Sequence, residues 1–161
     1  MARQQLEEPV TLSVLDRLID EEPKKTVEAP LSRAQSLRRL KEALKRDLEW
    51  LLNTRRNPDL EEGVYKEAEQ SVLGYGLPDL SAFGLSSVRD QQRLRRALEN
   101  AIAVFEPRLA GVRVQMETVS NISRGIRFHI QGLLLVDPNP EPVVFDTVLE
   151  LPAGQYEVQG R

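Results

Sequence analysis

Apolar residues recur at helical spacing through the first two-thirds of this chain and alternate singly through the last third. Leu12, Leu15, Leu18 and Ile19 fall on one face of a helical stretch over residues 11–20. So short a helix is unstable alone in water, so this face is expected to dock, on its own fold or in a partner's groove. Residues 21–30, with Pro23, Pro30 and five charges, read as a linker. Residues 1–30 are thus expected to form a leading segment before one domain at 31–161. Ser32 and Gln35 have the spacing of a capping box. Beyond them Leu37, Leu40, Leu44, Leu48, Leu51 and Leu52 trace an apolar stripe until Pro58 stops the helix. Residues 57–86 are irregular, with room for a short acidic helix between Glu61 and Val72. Gly74, Gly76 and Pro78 punctuate a loop that Leu80, Phe83 and Leu85 are expected to pin to the core. Ser87 and Asp90 open a second long helix with Leu94, Ala97, Leu98, Ala101, Ile102 and Phe105 inward, and Pro107 ends it.

The period then changes to two. Val112, Val114 and Met116, then Ile126, Phe128 and Ile130, then Val143, Phe145, Thr147, Leu149 and Leu151 mark the inner faces of three strands. Turns are expected at Asn121–Gly125 and Asp137–Pro142. Helices followed by an antiparallel sheet define an α+β class, and 161 residues suit a single core.

Composition narrows the chemistry. The chain has no cysteine and one histidine, His129. Disulfides, thiolate metal sites, a cysteine nucleophile and multi-histidine metal sites are excluded, and no cofactor is expected. The start has no apolar signal region, and the longest apolar run, Gly132 to Val136, is far short of a bilayer span. A cytoplasmic protein without membrane insertion is expected. The net charge of −3 hides blocks of −3, +5, −5, +4 and −4 over residues 1–30, 31–56, 57–86, 87–136 and 137–161. Such blocks suit either solvated helix faces or docking against several neighbours. A nucleic-acid partner is disfavoured by the acidic total.

Candidate chemistry is sparse. Glu49, Glu62, Asp79, Glu106, Asp146 and Glu150 could supply the two carboxylates of a glycosidase, but no spacing selects a pair. His129 lies on the outward face of a strand with no Gly-x-Ser-x-Gly elbow in the chain, which reads as a surface or interface histidine. Glu106-Pro107-Arg108 stands at the helix-to-strand junction between Phe105 and Leu109. It is either an internal salt bridge closing the helix or a rigid polar anchor for a partner chain.

Three motifs occur in order: Arg46-Asp-Leu-Glu-Trp-Leu-Leu-Asn-Thr-Arg-Arg56, Ser71-Val-Leu-Gly-Tyr-Gly-Leu-Pro-Asp79 and Phe105-Glu-Pro-Arg-Leu109. With Ser13-Val-Leu-Asp-Arg-Leu18 ahead of them, they resemble the TssE family, the baseplate wedge subunit of type VI secretion systems. That family is similar to the lysozyme-like wedge protein of contractile phage tails. The resemblance runs from about Ser13 to Val158. It implies a structural subunit, not an enzyme, joined to TssF- and TssG-type subunits, to a TssK-type subunit through the wedge, and to contractile sheath subunits. It implies wedge anchoring by Glu106, Pro107 and Arg108. It also implies strand sharing with the sheath; Val143–Leu151 is either an edge strand awaiting a partner or simply a central strand, and the edge is the expectation, with Val144, Asp146 and Val148 as its contact residues. On this reading Arg108→Ala or Glu106→Ala leaves the isolated domain folded and abolishes wedge assembly. The old family label keeps a peptidoglycan-cleaving enzyme as a rival reading, and a cytosolic regulator binding through a sheet edge is a third.

Overall fold

A computed structural model describes residues 9–19, 24, 30–60, 63–79, 87–119, 125–150 and 155–160. Most of the linker, the anchors Leu80, Phe83 and Leu85, the residue Leu151 and the turn residues 121–124 lie outside the described residues. The chain divides into two compact units, Met1–Leu44 and Lys45–Arg161.

In the first unit, Ser13 caps α1 (Val14–Leu18) by accepting from the Asp16 N–H at 3.1 Å. No residue of α1 is buried, and Leu15, Leu18 and Ile19 are exposed, with Leu12 half-buried. The helix α2 (Arg33–Asn53) opens with the expected capping box. Ser32 Oγ accepts from the Gln35 N–H at 3.3 Å, and Gln35 Oε1 accepts from the Ser32 N–H at 2.9 Å. Buried Ser36 donates to the Arg33 carbonyl at 2.8 Å and accepts from the Val10 N–H at 2.9 Å, which ties the leading segment to α2. Along the α2 stripe Leu40, Leu44, Leu48, Leu51 and Leu52 are buried as the spacing predicts.

The second unit contains the end of α2, α3 (Lys66–Glu69), a 3-10 turn at Val72–Gly74, α4 (Val88–Phe105) and one sheet. Past α2 the chain pairs with its own later loop. The Leu77 N–H donates to the Thr54 carbonyl, and the Arg56 N–H donates to the Leu77 carbonyl, each at 2.8 Å. Gly76 permits this approach. Its φ is +107°, and a Cβ there would sit 2.4 Å from the Thr54 oxygen.

The sheet has strands β1 (Leu109–Val119), β2 (Gly125–Leu134), β3 (Glu141–Glu150) and β4 (Gln155–Gly160), antiparallel in the order β1-β2-β3-β4. A bulge breaks the β1 register between Ala110 and Arg113, at Gly111 with φ +62°. The inner face carries Val114, Ile126, Phe128, Ile130, Val143, Phe145, Thr147 and Val158. Helix α4 contacts β1 and fully buries Leu94, Leu98 and Ile102. The fold is α+β, as the change of period predicts.

One placement is corrected. β3 is not an edge: it pairs with β2 along its length and with β4 from Phe145 to Glu150. The backbone beside Asp146 and Val148 is therefore bonded on both sides, and Val144 stands just before the β4 pairing begins. A fourth strand, β4, lies beyond the three that the alternation predicts; its signal in the sequence is only the short alternation Tyr156-Glu157-Val158-Gln159. The edges are β1 and β4. Glu99 of α4 accepts the Val114 N–H at 3.0 Å, so the β1 edge is partly covered by a side chain.

Candidate functional site

Pro107 drives Glu106 out of helical geometry, so α4 ends there and the chain turns into β1. The Glu106 N–H still reaches the Ile102 carbonyl at 2.9 Å, and the Leu109 N–H reaches back to the Glu106 carbonyl at 3.1 Å. This tight corner turns the Glu106 and Arg108 side chains together. Glu106 is 4% exposed. Its Oε1 accepts from Arg108 Nε at 2.6 Å and from the Arg108 main-chain N–H at 3.2 Å, and its Oε2 accepts from Arg108 Nη2. Arg108 Nη2 also donates to Asp47 Oδ2 at 2.6 Å. Asp47 lies on the last turns of α2, and its Oδ1 accepts from Arg46 Nε and Nη2 at 3.0 and 2.8 Å. The Arg46 guanidinium in turn stands 5.0 Å from the centre of the Trp50 ring, a cation–π distance.

The corner is thus a relay of alternating charge, Glu106–Arg108–Asp47–Arg46, ending on the only tryptophan. The bonds to Glu106, and after them those to Asp47, hold the Arg108 proton more firmly than water does, against the opposing effect of burial. Tyr75 of the Gly-Tyr-Gly loop packs edge-on to Phe105 at 5.3 Å. Burial raises its phenol above the ordinary value, and the charges of Asp47 and Glu106 add to that. All three sequence motifs therefore meet here: Asp47 and Trp50 from the first, Tyr75 from the second, Glu106 and Arg108 from the third.

Of the two sequence readings of Glu106-Pro107-Arg108, the internal salt bridge is present. Pro107 is exposed and a quarter of the Arg108 side chain reaches the surface. Sequence spacing alone did not reveal Asp47 as the third member, because it lies 61 residues from Arg108. Its order within the first motif was the available signal.

The other candidates stand elsewhere. Leu12, Leu15, Leu18 and Ile19 belong to the first unit. Val144, Asp146 and Val148 lie on the outer sheet face, opposite to buried Val143, Phe145 and Thr147. There His129 is held between two carboxylates, with Nδ1 on Asp146 and Nε2 3.4 Å from Glu117. Its place on a polar face agrees with a surface histidine. A groove of about 410 Å³ is lined by Arg56, Glu69, Asn100 and parts of the Gly74–Pro78 loop and α4. It offers one carboxylate, Glu69, which already accepts from the Gly63 N–H. A smaller groove carries Asp79 beside Arg55 and Arg56. Neither groove brings two of its lining carboxylates across from each other. Among the described residues no His, Asp and Glu cluster could hold a metal ion. No helix among them is long and apolar enough to cross a membrane.

Comparison with known proteins finds no match among curated proteins and none among solved structures. A family model described as baseplate wedge protein gp25 matches residues 38–139. The match begins within α2, contains all three motifs and every residue of the charged corner, and ends after β2. Spanning well over half of the chain, it shows that this protein belongs to the gp25 baseplate wedge family, structural components of phage-like tail baseplates.

Proposed function

We propose that this chain is the TssE-type wedge subunit of a type VI secretion baseplate. In this role it joins TssF- and TssG-type subunits, and a TssK-type subunit through them, and provides the platform on which the first contractile sheath subunits dock. The observation that carries the reading is the assembly of all three motifs at one corner of a gp25-family chain. Glu106, Pro107 and Arg108 are the wedge anchor, with Glu106 orienting the arginine and Arg108 and Pro107 reaching the surface. The sheath meets the sheet at an edge by strand addition. The outer side of β4 suits this best, since Glu99 already occupies a β1 backbone donor. The leading helix docks through Leu12, Leu15, Leu18 and Ile19 in a partner groove. The protein works in the cytoplasm, in a baseplate seated on an inner-membrane complex, without cofactor, catalysis or membrane insertion.

Co-purification tests the reading. Wild-type protein retains TssF- and TssG-type subunits, and Arg108→Ala loses them while its far-ultraviolet circular dichroism stays native. Normal retention by folded Arg108→Ala removes the anchor. Turnover of cell-wall polymer that disappears on a single Glu→Gln change overturns the structural role altogether.

A further inference from the structure

The side chains of α4 sort onto two opposite faces. Leu94, Leu98 and Ile102 are fully buried on one. On the other, Arg89, Arg93, Arg96 and Asn100 recur at helical spacing, and all four are exposed. Arg93 is engaged, with Asp90 standing 3.9 Å away. Arg89, Arg95 and Arg96 make no ion pair or side-chain hydrogen bond among the described residues. Cations one turn apart on a helix repel, and Arg89 in the first turn also opposes the positive end of the helix dipole. Folding gains nothing from this arrangement, which points to a contact outside the chain. One turn beyond Arg93 and Arg96 the surface sinks into the groove of about 410 Å³, which Ala97, Asn100, Ala101 and Val104 line together with Gly76 and Pro78. Val104 is an exposed apolar side chain there. Glu69, the one carboxylate of the groove, accepts from the Gly63 N–H. The α4 wall is thus mainly apolar, with arginines along the helix that leads into it. Its complement is a short amphipathic helix in a segment of negative charge.

The chain carries such a helix itself. No residue of α1 is buried, and Val14, Leu15, Leu18 and Ile19 are exposed. Residues 1–30 sum to −3 and residues 87–136 to +4, so the two blocks attract. The lengths also agree. Leu12 to Ile19 and Ala97 to Val104 are each seven residue steps, about 10 Å at the helical rise. We infer that the leading helix of one copy docks in the α4 groove of a second copy. Leu15 and Leu18 lie on Ala97, Ala101 and Val104, and Arg89 and Arg96 steer the acidic leading segment in. The contact joins two different surfaces and is therefore head-to-tail. It names the partner groove for the leading helix of the wedge reading, and rests on that part of the reading alone.

Sedimentation equilibrium of the full chain tests this. A contact of this size predicts self-association with a Kd of about 10–100 μM, weakened about threefold or more by a tenfold rise in sodium chloride. Ala101→Arg fills the groove and is expected to abolish association. Arg89→Glu with Arg96→Glu, at exposed positions where folding is not at stake, is expected to weaken it about tenfold or more. Because the chain has no cysteine, the contact can also be mapped directly. Leu18→Cys is placed in one preparation and Ala101→Cys in another, so that on mild oxidation of the mixture a disulfide joins only separate copies. The mixed product is expected in excess over both same-site products. A monomer at every concentration overturns the inference and leaves the leading helix to another subunit. Association that both groove variants retain, or a mixed product no more abundant than the same-site ones, also overturns it. All these results leave the wedge reading standing while wild-type protein retains TssF- and TssG-type subunits. Loss of that retention overturns the wedge reading and leaves the groove contact to its own measurements.

Discussion

Glu106→Ala tests the corner as an element of stability. The substitution removes three hydrogen bonds to Arg108 and leaves a guanidinium that was buried against two carboxylates facing only one. Deleting one member of a buried ion pair costs about 3–5 kcal/mol, because the other charge loses its compensation. Two features reduce that here. Asp47 still holds Arg108 at 2.6 Å, and water reaches a quarter of the arginine side chain. We expect a loss of about 2–3 kcal/mol, between the exposed and the fully buried limits. For a chain of this size that is a fall in Tm of about 5–10 °C. Urea unfolding followed by Trp50 fluorescence is a suitable assay, since this sole tryptophan lies against Arg46 at the end of the relay. Adding Arg108→Ala to Glu106→Ala should cost less than the two losses summed, since removing the stranded charge restores balance. A Glu106→Ala loss below about 1 kcal/mol would place the pair among exposed salt bridges and refute the reasoning. The expectation from sequence that Glu106→Ala leaves the isolated domain folded is sharpened to a domain that folds with a measurable loss of stability.

Other outcomes follow from the same geometry. Tyr75 holds its proton more tightly when folded than its ordinary value near 10, so its contribution is constant below pH 10 and is lost as pH rises beyond it. Tyr75→Phe should flatten the fall in stability above pH 10, and identical alkaline slopes in denaturant titrations would refute this. Gly76→Ala should cost at least about 2 kcal/mol, since both its φ and the Thr54 oxygen oppose a side chain. Gly111→Ala, with a left-handed φ but open space, should cost only about 1 kcal/mol; equal midpoint shifts would show that the close approach at Gly76 is unimportant. Thr147 is fully buried between Phe128 and Val158 in the ladder, and its hydroxyl has no partner among the described residues. Thr147→Val should raise stability by about 1 kcal/mol, measured as a higher urea midpoint; a loss would mean that the hydroxyl is satisfied.

The two long helices and three of the four strands were legible because burial imposes a period on each. In α4, for instance, Leu94, Leu98 and Ile102 repeat at four-residue intervals and all three are fully buried. Two features escaped that logic. β4 is short, and one buried valine gives little period to detect. The position of β3 inside the sheet depends on β4, so missing one strand displaced the expected edge. The corner was half legible. Glu106-Pro107-Arg108 stood out locally, but a partner 61 residues away is fixed by packing and leaves no periodic trace.

That long-range bond has a consequence for reading assembly defects. Arg108 joins the α4–β1 corner to α2 through Asp47 while a quarter of its side chain reaches the surface, so under the proposed wedge reading one side chain serves both fold and contact. Any change at Arg108, Asp47 or Glu106 lowers stability as well as altering what a partner meets. Loss of partner binding in those variants mixes two causes, and the folded fraction must be measured beside the affinity. Trp50 differs because its ring is mostly solvent-exposed, with Arg46 as its one ring contact in the relay. A conservative change there alters the surface and leaves the charge relay intact. For a partner that covers this corner, as proposed, Trp50 is a residue at which recognition and folding can be separated by a single substitution.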